Sequence, residues 1–242
     1  MTTNVGVDVG VEPGLTRAPW TPASIAGLVY DRNANDAVGS PVTSWPGLLE
    51  TATIVGAPTQ VATGLGGNAV RFNGTNQAIT IDGVAPVGSG IDKAYTKVLL
   101  FRCPALVSGT FLWGWGSLAS GTPYMGGGIF GVNLQCRKRD DALATADVLP
   151  SPPTINVWYA RIDICHGTTI ESYINNVSLG APVAYDVGQT TLTGYALAAR
   201  TNNGAPGNWS EVDIAHSALY SVAISAADAA QWWTYLQAQH GV

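Results

Sequence analysis

The sequence predicts an all-β protein, a two-sheet antiparallel β-sandwich of jelly-roll type with one C-terminal α-helix packed on it and an extended N-terminal arm. Three observations lead there. Short apolar segments recur at spacings of about ten residues, punctuated by Gly, Pro, Asn and Asp, which is the rhythm of a sandwich. Only 11% of the 242 residues are charged, whereas there are 29 Gly and 14 Pro, a turn-rich composition. Helical periodicity is confined to the end of the chain, where Ala229, Trp232, Trp233 and Leu236 fall at i, i+3, i+4 and i+7.

Taken in order, residues 1–19 show no sustained period and carry Gly6, Gly10, Pro13, Gly14 and Pro19, so they read as an extended arm. Val5, Val7, Val9 and Val11 alternate within it, which suits a strand added to a neighbouring chain; a frayed terminus is the other reading. The jelly-roll domain spans 20–242. It begins with a short helical turn after Trp20, then a strand at Gly27–Asp31. Residues 51–63 read as weak strand and loop. Asn68–Asn73 and Gln77–Asp82 are clearer strands, and the residues between them have hairpin length.

Ala94–Phe101 is a nearly continuous apolar run, as expected of a central strand covered on both faces. Phe111–Gly116 places Trp113 and Trp115 on one face, and a single strand is expected over Gly126–Cys136 after a glycine cluster. Asp140–Thr154 reads as loop. Trp158, Ala160, Ile162 and Ile164 then alternate with polar residues, His166–Gly167 turns, and Ile170, Ser172 and Ile174 alternate back. Asn175–Asn176 supplies a further turn. Tyr195–Ala199 is a strand, 201–208 a Gly/Asn loop, and Val212 and Ile214 alternate with Glu211 and Asp213 in a strand with one buried face. Ser225 and Asp228 form a capping-box variant for the terminal helix, and Gly241 stops it.

Composition excludes several classes. The net charge is −5, and the eleven Lys and Arg do not cluster beyond Arg137, Lys138 and Arg139, so no nucleic-acid partner is expected. No apolar run approaches the ~18 residues of a membrane span, and residues 1–14 lack the basic and apolar regions of a secretory signal. Cys103, Cys136 and Cys165 are an odd number at long spacings and read as buried free thiols.

The order Trp20-x-Pro, Gly27–Asp31, Val42-x-Ser-Trp45, Gly67–Gly74, Val157-Trp-Tyr, Tyr173-Ile-Asn175, Trp209-x-Glu-Val, Tyr220, Ile224–Asp228 and Tyr235-Leu236 resembles the concanavalin A-like lectin/glucanase superfamily. Within it, the pattern is most similar to the laminin-G-like domains of bacteriophage and bacterial surface proteins. Asn175–Asn176 departs from the usual Asn-Gly, which changes only the turn residue. The resemblance implies a jelly roll over about residues 20–241 and leaves function open, since that superfamily spans lectins, glycanases and structural modules.

Glu211-Val-Asp-Ile-Ala215 resembles the E-x-D-x-E signature of the glucanases, in which alternate carboxylates of one strand flank a glycosidic bond. Ala215 stands where the third carboxylate belongs, so no catalytic residue is assigned and the chain is expected not to be an enzyme. Glycan-binding candidates are Trp209, Tyr124, Asn202, Asn203, Asn208, Trp113 and Trp115. Trp113 and Trp115 are either a sugar-stacking platform or core, and Trp209 either a ligand contact or a loop anchor. Tyr124 sits in a glycine-rich stretch expected to be a loop, and the amides suit saccharide hydroxyls.

His166, His216 and His240 are too scattered to argue a triad or a zinc site. Asp31, Asp36, Asp82 and Asp92 fall where related domains sometimes hold calcium, but no dense acidic run accompanies them, and no cofactor is assigned. The expectation is therefore a non-catalytic bacteriophage virion surface protein, a capsid decoration or fibre component. The arm would fasten it to other virion proteins or to a sister subunit in a homo-oligomer, and the domain would offer a face to glycans. A stand-alone carbohydrate-binding lectin is the alternative, and a glycan hydrolase using Glu211 and Asp213 a third reading.

Overall fold

The computed structural model describes residues 20–46, 53–82, 93–117, 123–186, 188–192, 194–202 and 205–242; the expected arm at 1–19 lies outside them. The first strands in chain order are β1 (Leu28–Asn33), β2 (Thr53–Val55), β3 (Thr59–Ala62), β4 (Asn68–Asn73), β5 (Ala78–Asp82) and β6 (Ala94–Arg102). They continue as β7 (Thr110–Gly116), β8 (Tyr124–Phe130), β9 (Asn133–Arg139), β10 (Thr145–Ser151), β11 (Trp158–His166) and β12 (Thr169–Ile174). The last are β13 (Val177–Ser178), β14 (Val183–Ala184), β15 (Gly194–Leu197), β16 (Arg200–Asn202), β17 (Ala205–Gly207) and β18 (Glu211–Tyr220), before helix α1 (Ala226–His240).

The larger sheet runs β13-β12-β11-β6-β18-β4-β3, with β1 also on β18 and β14 also on β12. The smaller runs β10-β9-β8-β7-β15-β5-β2. β16 and β17 pair only with each other among the described residues. This is the expected two-sheet sandwich, and every pairing between these strands is antiparallel.

Three layers follow from which faces are apolar. Val70, Phe72, Leu99, Phe101, Val212 and Ile214 of the larger sheet meet Ile79, Ile81, Trp113, Trp115, Leu134 and Leu197 of the smaller. On its other face the larger sheet presents Val98, Leu100, Ala160, Ile162 and Tyr220 to Ala229, Trp232 and Leu236 of α1. β6 and β18 therefore have no solvent side, which is why β6 reads as a continuous apolar run. The capping box is complete, since Ser225 Oγ accepts from the Asp228 amide and Asp228 accepts from the Ser225 amide. Gly241 ends the helix at φ 68, a left-handed position that glycine takes without strain. Trp232 is fully buried, edge-on to Trp20 and donating to Tyr220 Oη at 3.1 Å.

Four expectations change. The residues after β4 do not close a hairpin: β4 pairs with β3 and β18, and β5 with β2 and β15, so the chain arches between sheets. Val70 and Phe72 must meet Ile79 and Ile81 face to face across the core, which edge-to-edge pairing would forbid. Gly126–Cys136 is not one strand but the β8–β9 hairpin turning at Gly131 (φ 64). Asp140–Thr154 contains β10, an edge strand, and Pro150 is tolerated there because an edge position can lack a donor. Finally, β18 has no polar solvent face, because Asp213 on it is wholly buried.

Candidate functional site

The register of the smaller sheet puts Phe111, Gly114 and Gly116 of β7 beside Gly128, Gly126 and Tyr124 of β8, on the face turned away from the core. Phe111, Tyr124 and Phe130 form their own aromatic cluster there, edge to face at ring separations of 5.5 and 5.1 Å. The glycines exist because the β16–β17 hairpin lies directly on this face. A Cβ on Gly116 would stand 1.7 Å from Thr201 O, and one on Gly114 2.9 Å from Arg200 Cβ.

The hairpin delivers Arg200. Its guanidinium carbon lies 4.4 Å from the centre of the Tyr124 ring and 5.6 Å from that of Phe111. Its Nε donates to Asn208 Oδ1 at 3.0 Å, and Asn208, at φ 54, donates in turn to Gly109 O at 3.0 Å. Burial is the first cause pulling the Arg200 pKa down, and nearby Arg139 adds to it. On β9, Arg137 and Arg139 share this outer face by the two-residue period. Arg137 stacks 3.9 Å over Phe130 and is ion-paired to Asp147, its Nη2 lying 2.6 Å from Oδ2. The Nε of Arg139, paired in register with Tyr124, is buried without a hydrogen-bond partner. Trp209, half-buried, closes the far side against Ala78, Ala196 and Ala199. Phe111, Tyr124, Phe130 and Arg200 are themselves buried, so what this face offers outward is its rim, the exposed Asn208 and the partly exposed Trp209, Arg137 and Arg139.

The sequence-derived residues divide. Tyr124 and Asn208 converge on Arg200, which the sequence analysis did not single out. Tyr124 is not in a loop but at the start of β8, and it is 8% exposed. Trp113 and Trp115 are core residues at 1% and 0% exposure, on the other face of β7, so no platform forms from them. Asn202 lies in β16, paired with Ala205. Asn203 is outside the described residues. One signal was legible: Arg137 and Arg139 stand two apart in a strand.

Asp213 is clamped by two arginines. Arg71 grips it through Nε at 2.7 Å and Nη2 at 2.8 Å, and Arg102 through Nε at 3.0 Å and Nη2 at 2.6 Å. A carboxylate that accepts four hydrogen bonds from two guanidiniums and has no exposed surface offers no face to a substrate.

The larger sheet also gathers residues too distant in sequence to connect. A β-bulge at Ala215 turns His216 toward α1. There its Nε2 meets Asp31 Oδ1 at 2.5 Å and its Nδ1 meets His240 Nε2 at 3.3 Å. His240 Nδ1 is buried without a partner, and burial, reinforced by His216, lowers the His240 pKa to about 4. Asp31 is thus committed to a histidine. Asp36 closes the 3-10 turn Ala34–Asp36 that follows β1, Asp82 ends β5 in the other sheet, and Asp92 is outside the described residues. Among the described residues no group of three or more His, Cys, Asp or Glu is arranged to hold a metal ion. None of the described helices is long and apolar enough to cross a membrane.

Lys97 lies between the sheets, donating to Tyr30 Oη at 3.0 Å and to Ser217 Oγ at 2.5 Å, and burial pulls its pKa well down. Lys97, Ser217 and Tyr30 have no exposed surface, so this serine–lysine pair is a structural polar core. The three cysteines are free and buried, and burial raises the Cys103 thiol to about 12.

No family model matches the sequence, and no curated protein matches it. Solved structures do match in fold. The binding domain of Paraclostridial Mosquitocidal Protein 1 is similar at TM-score 0.65 and 14% identity, over 87% of this chain and 52% of that one. This chain therefore spans about half the length of that domain. Domain 4 of AbnA, a GH43 extracellular arabinanase from Geobacillus stearothermophilus solved with arabinotriose, is similar at TM-score 0.62 and 15% identity, over 84% of this chain and 97% of that one. Trypanosoma rangeli sialidase in complex with sialic acid is similar at TM-score 0.62 and 17% identity, over 91% of this chain and 36% of that one. At these identities the likeness shows the fold alone, a two-sheet antiparallel β-sandwich.

Proposed function

We propose that the protein is a non-catalytic saccharide-binding module whose site is the outer face of the smaller sheet. The observation that carries this reading is the rim formed by the exposed Asn208 and half-buried Trp209, where Asn208 anchors Arg200 over Tyr124. An aromatic face with fixed, planar donors suits a sugar ring and its hydroxyls. The fold shared with an arabinanase domain solved with arabinotriose agrees with it. The binding role, in place of cleavage, is supported by Ala215 and by the double clamp on Asp213.

A glycan array followed by titration of tryptophan fluorescence tests this. Arg200→Ala and Trp209→Ala should each weaken any binding by tenfold or more while the sandwich still melts cooperatively. Unchanged affinity in both variants refutes the location, and silence across broad panels refutes the function. Reducing-sugar release that disappears in Glu211→Gln would overturn the non-catalytic assignment. The narrower virion-surface role draws its support from the sequence resemblance alone. It predicts recovery of the protein from purified phage particles, and attachment that is lost when residues 1–14 are deleted.

A further inference from the structure

We infer that one end of the sandwich settles on the surface of an uncharged lipid bilayer, with the apolar side chains of its turns entering the interface. The inference goes beyond the saccharide reading and stands on other residues. Eight large apolar side chains are exposed among the described residues. Five of them, Val107, Val132, Ile155, Val157 and Val177, lie at the same end, from 41% exposed at Val157 to 75% at Val132. Strand register gathers them. Trp158 opposite Arg102 brings the start of β11 to the end of β6, and Phe130 opposite Asn133 turns β8 into β9 at that level. Ser151 opposite Leu134 ends β10 there, and Ile174 opposite Val177 closes the β12–β13 turn. Backbone amides then tie the turns side by side: Gly131 N donates to Ser108 Oγ at 2.8 Å, and Asn156 N to Cys103 O at 2.9 Å.

Charge is absent from the same end. Segments 56–58, 74–77, 103–109, 131–132, 152–157, 175–176 and 208–210, which build it, contain no Asp, Glu, Lys or Arg. Where charges begin, at the strand ends, they cancel: Arg71 and Arg102 are gripped on Asp213, and Glu211 lies near Arg71. The opposite end carries Asp140, Asp141 and Asp186. A chain of net charge −5 therefore has one neutral, apolar end to bring against a neutral surface. Exposed apolar patches mark contacts with proteins or membranes, and the make-up of this one favours a membrane. Stable protein interfaces engage about 20–30 residues a side and are anchored by Trp, Tyr and Arg, with Val under-represented among the anchors. Here the exposed apolar residues are five branched aliphatics on separate turns, divided by Ser, Thr and Asn. Taking such side chains out of water requires an apolar medium and no matching shape, which is what the headgroup–acyl boundary of a bilayer supplies.

Flotation with vesicles of phosphatidylcholine alone tests this, since such vesicles carry neither net charge nor a saccharide. The full chain should float with them, and the bound fraction should stay constant between about 0.05 and 0.5 M salt. The triple variant Val107→Asp, Val132→Asp, Ile155→Asp should lower the partition coefficient at least tenfold, because a charge is costly in an apolar layer. Val183→Asp, at an exposed valine paired with Ile170 away from this end, should leave it unchanged. All four positions are exposed, and melting temperature with circular dichroism establishes that each variant is folded. Absence of the wild-type chain from the floated fraction overturns the inference and leaves the saccharide reading intact. Flotation retained by the triple variant, an equal loss in Val183→Asp, or flotation that needs anionic lipid and vanishes with salt overturns it as well. A wild-type dimer that becomes monomeric in the triple variant, with no flotation of either, also overturns it and assigns this end to a second copy of the chain.

Discussion

Asp213 offers the sharpest test of whether the strand that resembles a glucanase signature is structural. Its carboxylate has no exposed surface, while the side chains of Arg71 and Arg102 are 43% and 20% exposed. The ion pair is therefore asymmetric, with a buried anion and two cations that reach water. Removing the anion, as in Asp213→Ala, lets both guanidiniums rehydrate, and the loss should be about 2–3 kcal/mol, below the usual range for breaking a fully buried pair. Arg71→Ala alone leaves Arg102 in place and should cost about 1 kcal/mol, as for a half-exposed pair. Removing both arginines strands the carboxylate in the interior, and that double variant should lose about 3–5 kcal/mol. The ordering is the test: the double arginine variant must be less stable than Asp213→Ala, and its loss must exceed the sum of the single arginine losses. Guanidinium denaturation followed by tryptophan fluorescence measures all four. If Asp213→Ala is the least stable of the set, or if the arginine losses add, the clamp does not work this way. A saccharide-binding module should also keep its affinity in Asp213→Ala.

Two further outcomes follow from particular contacts. His240 is neutral in the fold, its pKa lowered to about 4 by burial and by His216, although Asp31 and the helix C-terminus favour its charge. Its unfolded form takes a proton near pH 6.5, so stability is full above that value and falls as pH drops from about 6.5 to 4; the loss is about 2 kcal/mol after allowing for screening at the cluster rim. Urea melts across that range check this, and His240→Gln should flatten the slope; an unchanged slope refutes the assignment. Gly116→Ala would place a methyl group against Thr201 O, so the β16–β17 hairpin should lift, with a loss of about 1–3 kcal/mol and of saccharide affinity. A variant with wild-type melting temperature and affinity would show that the hairpin is not seated on that glycine.

What was legible in the sequence was what local period and turn chemistry decide. The α1 helix with both its caps, the β11–β12 hairpin and the doubly covered β6 follow from residues within ten or so positions of one another. What was not legible depended on the sheets being assembled. The arch from β4 to β5 has hairpin length, and only the need of Phe72 and Ile79 to face each other across the core makes it cross. Asp31 and His216 are 185 positions apart, and a bulge at Ala215 turns the histidine toward its partners, so no spacing rule could connect them.

Glycine was the most misleading residue, and for a physical reason that bears on the site. Gly126–Gly128 fell both in the glycine-rich stretch expected to be a loop around Tyr124 and at the start of the strand expected over Gly126–Cys136, because glycine is favoured wherever backbone must bend. In β8 these residues are extended and paired, and at all three the space of a Cβ is taken: by Phe111 and Trp113 O beside Gly126, by the Trp113 indole beside Gly127 and by Thr110 O beside Gly128. The glycines of β7 and β8 are thus what close packing under the β16–β17 hairpin and against the neighbouring strand requires. The same face gathers two of a sparse set of cations, Arg137 and Arg200, onto three aromatic rings. Close packing and stacked cations thus coincide on one surface, and it is there that the proposed saccharide site is put to the test.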